Sequence, residues 1–247
     1  MKINTQYLVT DNDRLKVIAP YEMNPTEITF HNTYNDASAS AEVRNVRNNS
    51  TGTSFHTAVD DFEVQQVVPF NRNAWHAGDG VSGTGNRKSI GVEICYSKSG
   101  GSRYRKAELN AIDHISDLMI RFGIPISKVK THQERNGKYC PHRMLDEGRV
   151  AWFKNELVKA VNIKKAGGSV EAPIKEEPKL KNQIFTGGYA SEGLVDIIGA
   201  MNSVHVTAKM ELRSDKYVYI TTDPTSEVQL NAMKGYLDRN KLWYEMV

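Results

Sequence analysis

Cysteine is scarce in this chain: among 247 residues only Cys95 and Cys140 occur. Two cysteines do not make a disulfide scaffold for a chain of this size, so they are read as two unrelated thiols. Long apolar runs are missing as well. None approaches the roughly 18 residues that a membrane-spanning helix needs, which excludes membrane insertion by a helix. The opening Met1-Lys2-Ile3-Asn4-Thr5-Gln6 lacks the apolar segment of a signal peptide, which points to synthesis in the cytoplasm and, for any action outside, to release by another agent. Charge excess is small, with 32 basic against 29 acidic residues and a net charge of +3. That suits an anionic polymer, but without a recognition helix or an aromatic RNA-binding motif it does not make a nucleic-acid binder. Hydrophobic residues at 39% and charged residues at 25% are ordinary for a folded chain long enough for one domain or two.

Against that plain background stands the stretch Thr131-His132-Gln133-Glu134-Arg135-Asn136-Gly137-Lys138-Tyr139-Cys140-Pro141. It carries two soft metal-ligand types, His132 and Cys140, eight positions apart. Gly137 and Pro141 disfavour a helix, so the stretch reads as a loop that folds back to aim both side chains at one point. Borderline-soft zinc accepts imidazole and thiolate together. A catalytic zinc is usually held by three protein groups, so a third ligand is expected from elsewhere in the chain.

In chain order, Tyr7-Leu8-Val9 reads as a short strand or arm. Glu27 to Thr33 alternates apolar and polar residues, the signature of a strand that ends at His31. Ser38 to Arg47 is helix-compatible. Phe55 to Asp60 and Glu63 to Pro69 read as a hairpin with a tight acidic turn at Asp60-Asp61. Asn71 to Arg87, with Trp75-His76-Ala77-Gly78 at its centre, is a long loop of the kind that is usually functional inside a compact domain. It leads into the strand Ser89 to Tyr96, whose period of two puts Glu93 and Cys95 on one face and Val92, Ile94 and Tyr96 on the other. A glutamate there either lies on an exposed face or lines a polar cavity, because burying it unpaired is costly. Leu109, Ile112, Ile115, Met119 and Phe122 mark a helix from Tyr104 to Phe122, stopped by Gly123 and Pro125. His114 on it is a surface or packing histidine. A second amphipathic helix runs from Asp146 to Val161.

At Ile163 the composition changes. Lys164 to Asn182 is charged and punctuated by Pro and Gly, with almost nothing to bury, and reads as a solvated linker. It separates residues 1–163 from residues 183–247. The latter read as strand Ile184 to Thr186, helix Ser191 to Asn202, strands Val204 to Leu212 and Lys216 to Thr222, helix Ser226 to Asn240, and strand Leu242 to Val247. This βαββαβ order is that of a small ferredoxin-like domain. Nothing in it looks catalytic, and His205 reads as solvent-facing on its strand.

Five ordered landmarks, Phe30-His31-Asn32-Thr33, Trp75-His76-Ala77-Gly78, Ile90-Gly91-Val92-Glu93, His132-Gln133-Glu134 and Lys138-Tyr139-Cys140-Pro141-His142, resemble those of the type 2 N-acetylmuramoyl-L-alanine amidases. Endolysins of phages that infect bacilli are the most similar in motif wording. The resemblance covers roughly residues 1 to 162 and implies an α/β fold with a mixed central sheet flanked by helices. It implies His31, His132 and Cys140 as zinc ligands, Glu93 as the acid/base carboxylate and Lys138 as the oxyanion-stabilising residue. Zinc so held would lower the pKa of an attacking water toward neutrality. Glu93 would take its proton and return it to the leaving amine, with the bond between N-acetylmuramic acid and L-alanine of peptidoglycan as the target. Asn32 and Thr33 would orient His31 or touch substrate, and His76 would line the substrate groove or fix its loop. His56 reads as supporting a ligand or packing. In some members a tyrosine precedes the histidine of the hairpin strand. Phe55 stands there in this chain, so any proton role passes to Glu93.

The distal domain resembles the wall-binding modules of endolysins, which implies a cell-wall polymer as its partner; the competing role is homodimerisation. The phage reading implies release to the wall through a holin, the alternative being a bacterial autolysin. Two other functions compete: a non-catalytic peptidoglycan receptor, which would lack the third zinc ligand, and a metal-independent cysteine peptidase built on Cys95.

Overall fold

Ile28 and Phe30 point from one face of a strand into the core, while Glu27, Thr29 and His31 share the other face. All six residues of that strand, Glu27–Asn32, are nonetheless buried. In the computed structural model, which describes residues 1–168, 183–223 and 225–247, the elements are β1 (Ile3–Asn4), α1 (Asn12–Ile18), β2 (Glu27–Asn32), α2 (Ala39–Asn48), β3 (Thr57–Val59), β4 (Val64–Gln66), α3 (Thr84–Lys88), β5 (Ser89–Ile94), α4 (Gly101–Phe122), β6 (Val129–Thr131), α5 (Gln133–Asn136), α6 (His142–Asp146) and α7 (Val150–Lys165). They are followed by β7 (Ile184–Tyr189), α8 (Ser191–Ser203), β8 (Ala208–Leu212), β9 (Val218–Thr222), α9 (Glu227–Arg239) and β10 (Tyr244–Met246). The chain divides into two compact units, Met1–Val170 and Glu171–Val247.

The first unit is built on a six-stranded sheet in the order β1-β4-β3-β5-β2-β6. The β3/β4 hairpin is antiparallel and the other pairings are parallel, so the sheet is mixed, as expected. Its turn is closed by Asp60, whose carboxylate accepts the amides of Phe62 and Glu63 at 2.8 and 2.7 Å. β5 lies inside the sheet between β3 and β2, and β2 pairs with it in a register that sets His31 beside Glu93. Helices α4 and α7 pack on each other, α4 also against β5 and β3, and α2 against β3 and β4. Phe30, Ile90, Ile94, Ile112, Ile115, Leu118, Phe153 and Leu157 are buried together, with the rings of Phe30 and Phe153 4.9 Å apart. Each such side chain contributes about 1.5–3 kcal/mol by leaving water.

Several expectations need correction. The N-terminal strand is Ile3–Asn4, not Tyr7 to Val9, although the Val9 amide donates to the Val67 carbonyl at 2.9 Å. The loop from Asn71 to Arg87 ends in the short helix α3. The stretch from Thr131 to Pro141 is not all loop. Thr131 and Glu134 cap each other, the Thr131 amide donating to the Glu134 carboxylate at 2.7 Å and the Glu134 amide to the Thr131 hydroxyl at 3.0 Å, and one helical turn forms between the two ligand positions. The helix expected from Asp146 to Val161 starts only at Val150, after Gly148 takes φ +64°, and a separate short helix, α6, ends at Asp146. Cys95 and Tyr96 fall beyond β5, Tyr96 at φ +58°. The expected linker begins inside α7, whose Lys164 ammonium holds the Asp117 carboxylate at 2.6 Å; residues 169–182 lie outside the described residues.

The second unit follows the expected βαββαβ order, with an antiparallel sheet arranged β10-β7-β9-β8. Ile184, Ile197, Met201, Ile220, Met233 and Leu237 form its core. The strand expected from Val204 starts at Ala208, and exposed His205 lies in the preceding turn at φ +54°.

Candidate active site and metal centre

Three elements deliver three donor atoms to one buried point. His31 comes from the C-terminal end of β2, His132 from the end of β6, and Cys140 from the segment after α5. The Gln133 amide donates to the Cys140 carbonyl at 2.9 Å, which folds that segment back on itself. His31 Nδ1 lies 3.1 Å from His132 Nδ1 and 3.8 Å from Cys140 Sγ, and the three donor atoms lie within 4.8 Å of one another. Zinc bonds of about 2.0–2.1 Å to nitrogen and about 2.3 Å to sulfur at tetrahedral angles place donors about 3.3–3.6 Å apart. The two His31 separations, 3.1 and 3.8 Å, bracket that spacing, and the donor set is one that zinc accepts. Burial pushes the His132 pKa down to about 4 and that of His31 well below the ordinary range, leaving neutral imidazoles with lone pairs to give. Burial pushes the Cys140 thiol up to about 12, so its thiolate needs a cation beside it.

Glu93 stands beside His31 on β5. Its Oε2 is buried without a hydrogen-bond partner. Burial, reinforced by the Glu42 carboxylate and opposed by Lys138, raises its pKa to about 8. A carboxyl poised near neutrality is suited to proton transfer. Lys138 is exposed on the loop two residues before Cys140, and its positive charge bears on His31, His132, Cys140 and Glu93.

The remaining expected residues lie around this cluster. Asn32 is buried, its amide donating to the Tyr104 hydroxyl at 3.3 Å and its carbonyl accepting the Arg143 amide at 3.2 Å. Thr33 is half-buried with its hydroxyl 3.4 Å from that of Ser97. His76 is buried beside His31, its Nδ1 3.1 Å from His31 Nε2. His56 accepts the Gly91 amide at 2.9 Å and donates to the Arg72 carbonyl at 2.9 Å, a structural clamp. Phe55 is in the core. Cys95 is fully buried, and burial with the carboxylates of Glu42, Asp60 and Glu93 pushes its thiol far above the ordinary range, the reverse of what a nucleophile needs.

Two supporting residues escaped sequence reasoning. Arg135, almost fully buried, pairs with Glu27 and donates from Nε to the Thr29 hydroxyl at 3.0 Å, tying the ligand-bearing turn to the start of β2. Asn86 accepts the amides of His76 and Ala77 at 3.0 and 2.8 Å, fixing the loop behind His31. An arginine inside the ligand segment and an asparagine at the end of the Gly-rich loop were the only signals available.

A mixed sheet carrying a buried two-histidine, one-cysteine cluster beside a poised carboxyl, followed by a small separate unit, is the build of a two-part hydrolase. Residues 21–143 match the N-acetylmuramoyl-L-alanine amidase family, and residues 203–246 match the PlyG cell wall binding domain. The chain belongs to the N-acetylmuramoyl-L-alanine amidase family. The N-acetylmuramoyl-L-alanine amidase CwlA of a Bacillus species is 56% identical over 235 residues, 94% of each chain. The structure of PlyL superposes with a TM-score of 0.61 at 52% identity, covering 64% of this chain and 97% of that one. The solution structure of the PlyG catalytic domain gives a TM-score of 0.62 at 51% identity, over 65% of this chain and 96% of that one.

Proposed function

We propose that the first unit hydrolyses the amide bond between N-acetylmuramic acid and the L-alanine of the peptidoglycan stem, with zinc held by His31, His132 and Cys140. The convergence of His31 Nδ1, His132 Nδ1 and Cys140 Sγ at one buried point carries the reading. Bound there, zinc supplies a Lewis acid that lowers the pKa of water and polarises the scissile carbonyl. The chain's own groups do the rest. Glu93 accepts a proton from the attacking water and hands it to the departing alanine nitrogen, so the lactyl carboxylate and a free amine leave together. Lys138 offsets the negative charge that builds on the carbonyl oxygen.

The second unit holds the enzyme on its insoluble substrate, which raises effective concentration. Phe185, Tyr219 and Trp243 cluster there, with Phe185 6.0 Å from Tyr219 and 5.8 Å from Trp243, and the Arg213 guanidinium 4.1 Å from the Tyr219 ring. Ring faces beside a guanidinium suit the apolar faces and hydroxyls of a sugar polymer. In a phage setting the enzyme would reach the wall through a holin; in a host it would serve as an autolysin with the same chemistry.

The test is mass spectrometry of purified walls after digestion. Free N-terminal alanine on released stem peptides, with no new reducing sugars, supports the reading. New ends inside the peptide refute it.

A further inference from the structure

We infer that His76 is a positioning residue that locks His31 in the one tautomer able to bind a metal through Nδ1. The inference rests on the metal site proposed above.

The lock follows from a one-way chain of hydrogen bonds. His76 Nε2 lies 3.3 Å from the carbonyl oxygen of Ser89. A backbone carbonyl only accepts, so a neutral His76 carries its proton on Nε2 and leaves Nδ1 bare. Bare Nδ1 lies 3.1 Å from His31 Nε2 and accepts that atom's proton. With its proton on Nε2, His31 turns an unprotonated Nδ1 toward His132 Nδ1 and Cys140 Sγ. The direction of the whole relay is set at its far end by a peptide group that cannot reverse it.

The surroundings hold His76 in place. Its amide and that of Ala77 both donate to the Asn86 side-chain Oδ1. Its ring lies against Gly91, where a Cβ would come within 2.7 Å of ring carbons Cγ and Cδ2. Any larger residue at 91 would push the ring off its line to His31. The ring planes of His31 and His76 meet at 89°, edge to face, as a nitrogen-to-nitrogen hydrogen bond between imidazoles allows. Both rings are buried, so water does not compete for either nitrogen. Partners of this kind typically hold metal affinity up by 10- to 100-fold.

The experiment compares wild-type full-length chain with His76→Phe, His76→Asn and Gly91→Ala. Circular dichroism establishes that each is folded, zinc affinity is read by competition with a chromophoric chelator, and nitrogen-15 NMR of the metal-free protein reads the His31 tautomer. His76→Phe removes the acceptor and should weaken zinc binding 10- to 100-fold, with His31 losing its pure Nε2–H form. His76→Asn places an amide oxygen close to where Nδ1 sits and should restore most of the affinity. Gly91→Ala, which leaves every hydrogen-bonding side chain intact, should weaken binding in the same direction. Wild-type affinity and an unchanged His31 tautomer in folded His76→Phe would overturn the inference. Wild type that binds no zinc yet keeps His31 as Nε2–H would end the zinc reading while upholding the lock.

Discussion

Replacing Glu93 by glutamine separates the catalytic use of this carboxyl from the price of burying it. Without metal, the carboxyl has an unpartnered Oε2 and a pKa pushed up to about 8 by burial and by Glu42. In the unfolded chain the proton leaves near the ordinary value of 4.5. Between these values the folded state binds more protons than the unfolded one, so stability falls as pH rises from 4.5 and the full penalty stands above about 8. At about 1.4 kcal/mol per pH unit the ceiling is about 5 kcal/mol, and partial exposure of the side chain lowers it to about 2–4 kcal/mol. Glutamine cannot ionise. Metal-stripped Glu93→Gln should therefore match stripped wild type at pH 4.5 to within a constant offset and gain about 2–4 kcal/mol on it by pH 9, read by urea unfolding at both pH values. The same substitution should cut hydrolysis by the metal-loaded enzyme about 10²- to 10⁴-fold. A stability difference that does not change with pH would refute the buried, poised carboxyl, and retained hydrolysis would remove Glu93 from the chemistry.

Lys138→Met should lower kcat about 10²- to 10³-fold while leaving urea stability within about 0.5 kcal/mol, because the side chain is exposed. His114 is buried with Nε2 3.1 Å from the Thr57 hydroxyl, and burial pushes its pKa down to about 3. Its contribution is intact above the ordinary 6.5 and lost as pH falls toward 3, so His114→Gln should flatten the acid limb by up to about 1.4 kcal/mol per pH unit, measured by urea unfolding at pH 4 and pH 7. Arg149 Nη2 pairs with fully buried Glu108 at 2.6 Å; Arg149→Met should destabilise the first unit by about 3–5 kcal/mol, visible in thermal melts. Trp243, 58% exposed beside Phe185, should be needed for retention on walls, and Trp243→Ala should release the chain in a sedimentation assay.

The parts of this protein that declare themselves locally were legible. Alternation from Glu27 to Thr33 put His31 at the end of a strand, and the spacing of His132 and Cys140 marked a returning segment. The second unit's element order gave its sheet. What was hidden depends on contacts between distant residues. Arg135 meets Glu27 across 108 positions, and His31 meets His76 across 45. No local pattern shows that the polar face of β2 is roofed by Arg135 and His76 and therefore buried. The turn α5 has a local signal, the capping pattern Thr131-x-x-Glu134, but Gly137 and Pro141 follow so closely that only one turn forms. Gly148, which delays the start of α7 to Val150, was likewise present in the sequence, masked by the apolar residues at helical spacing that follow it.

The most direct test of the account is a titration of zinc into the stripped full-length chain, following release of stem peptides with free N-terminal alanine from purified walls. A linear rise that breaks at one zinc per chain, and no release before zinc is added, is the expected result. Release of the same peptides by stripped protein, or a break at any other stoichiometry, would contradict a single site made by His31, His132 and Cys140.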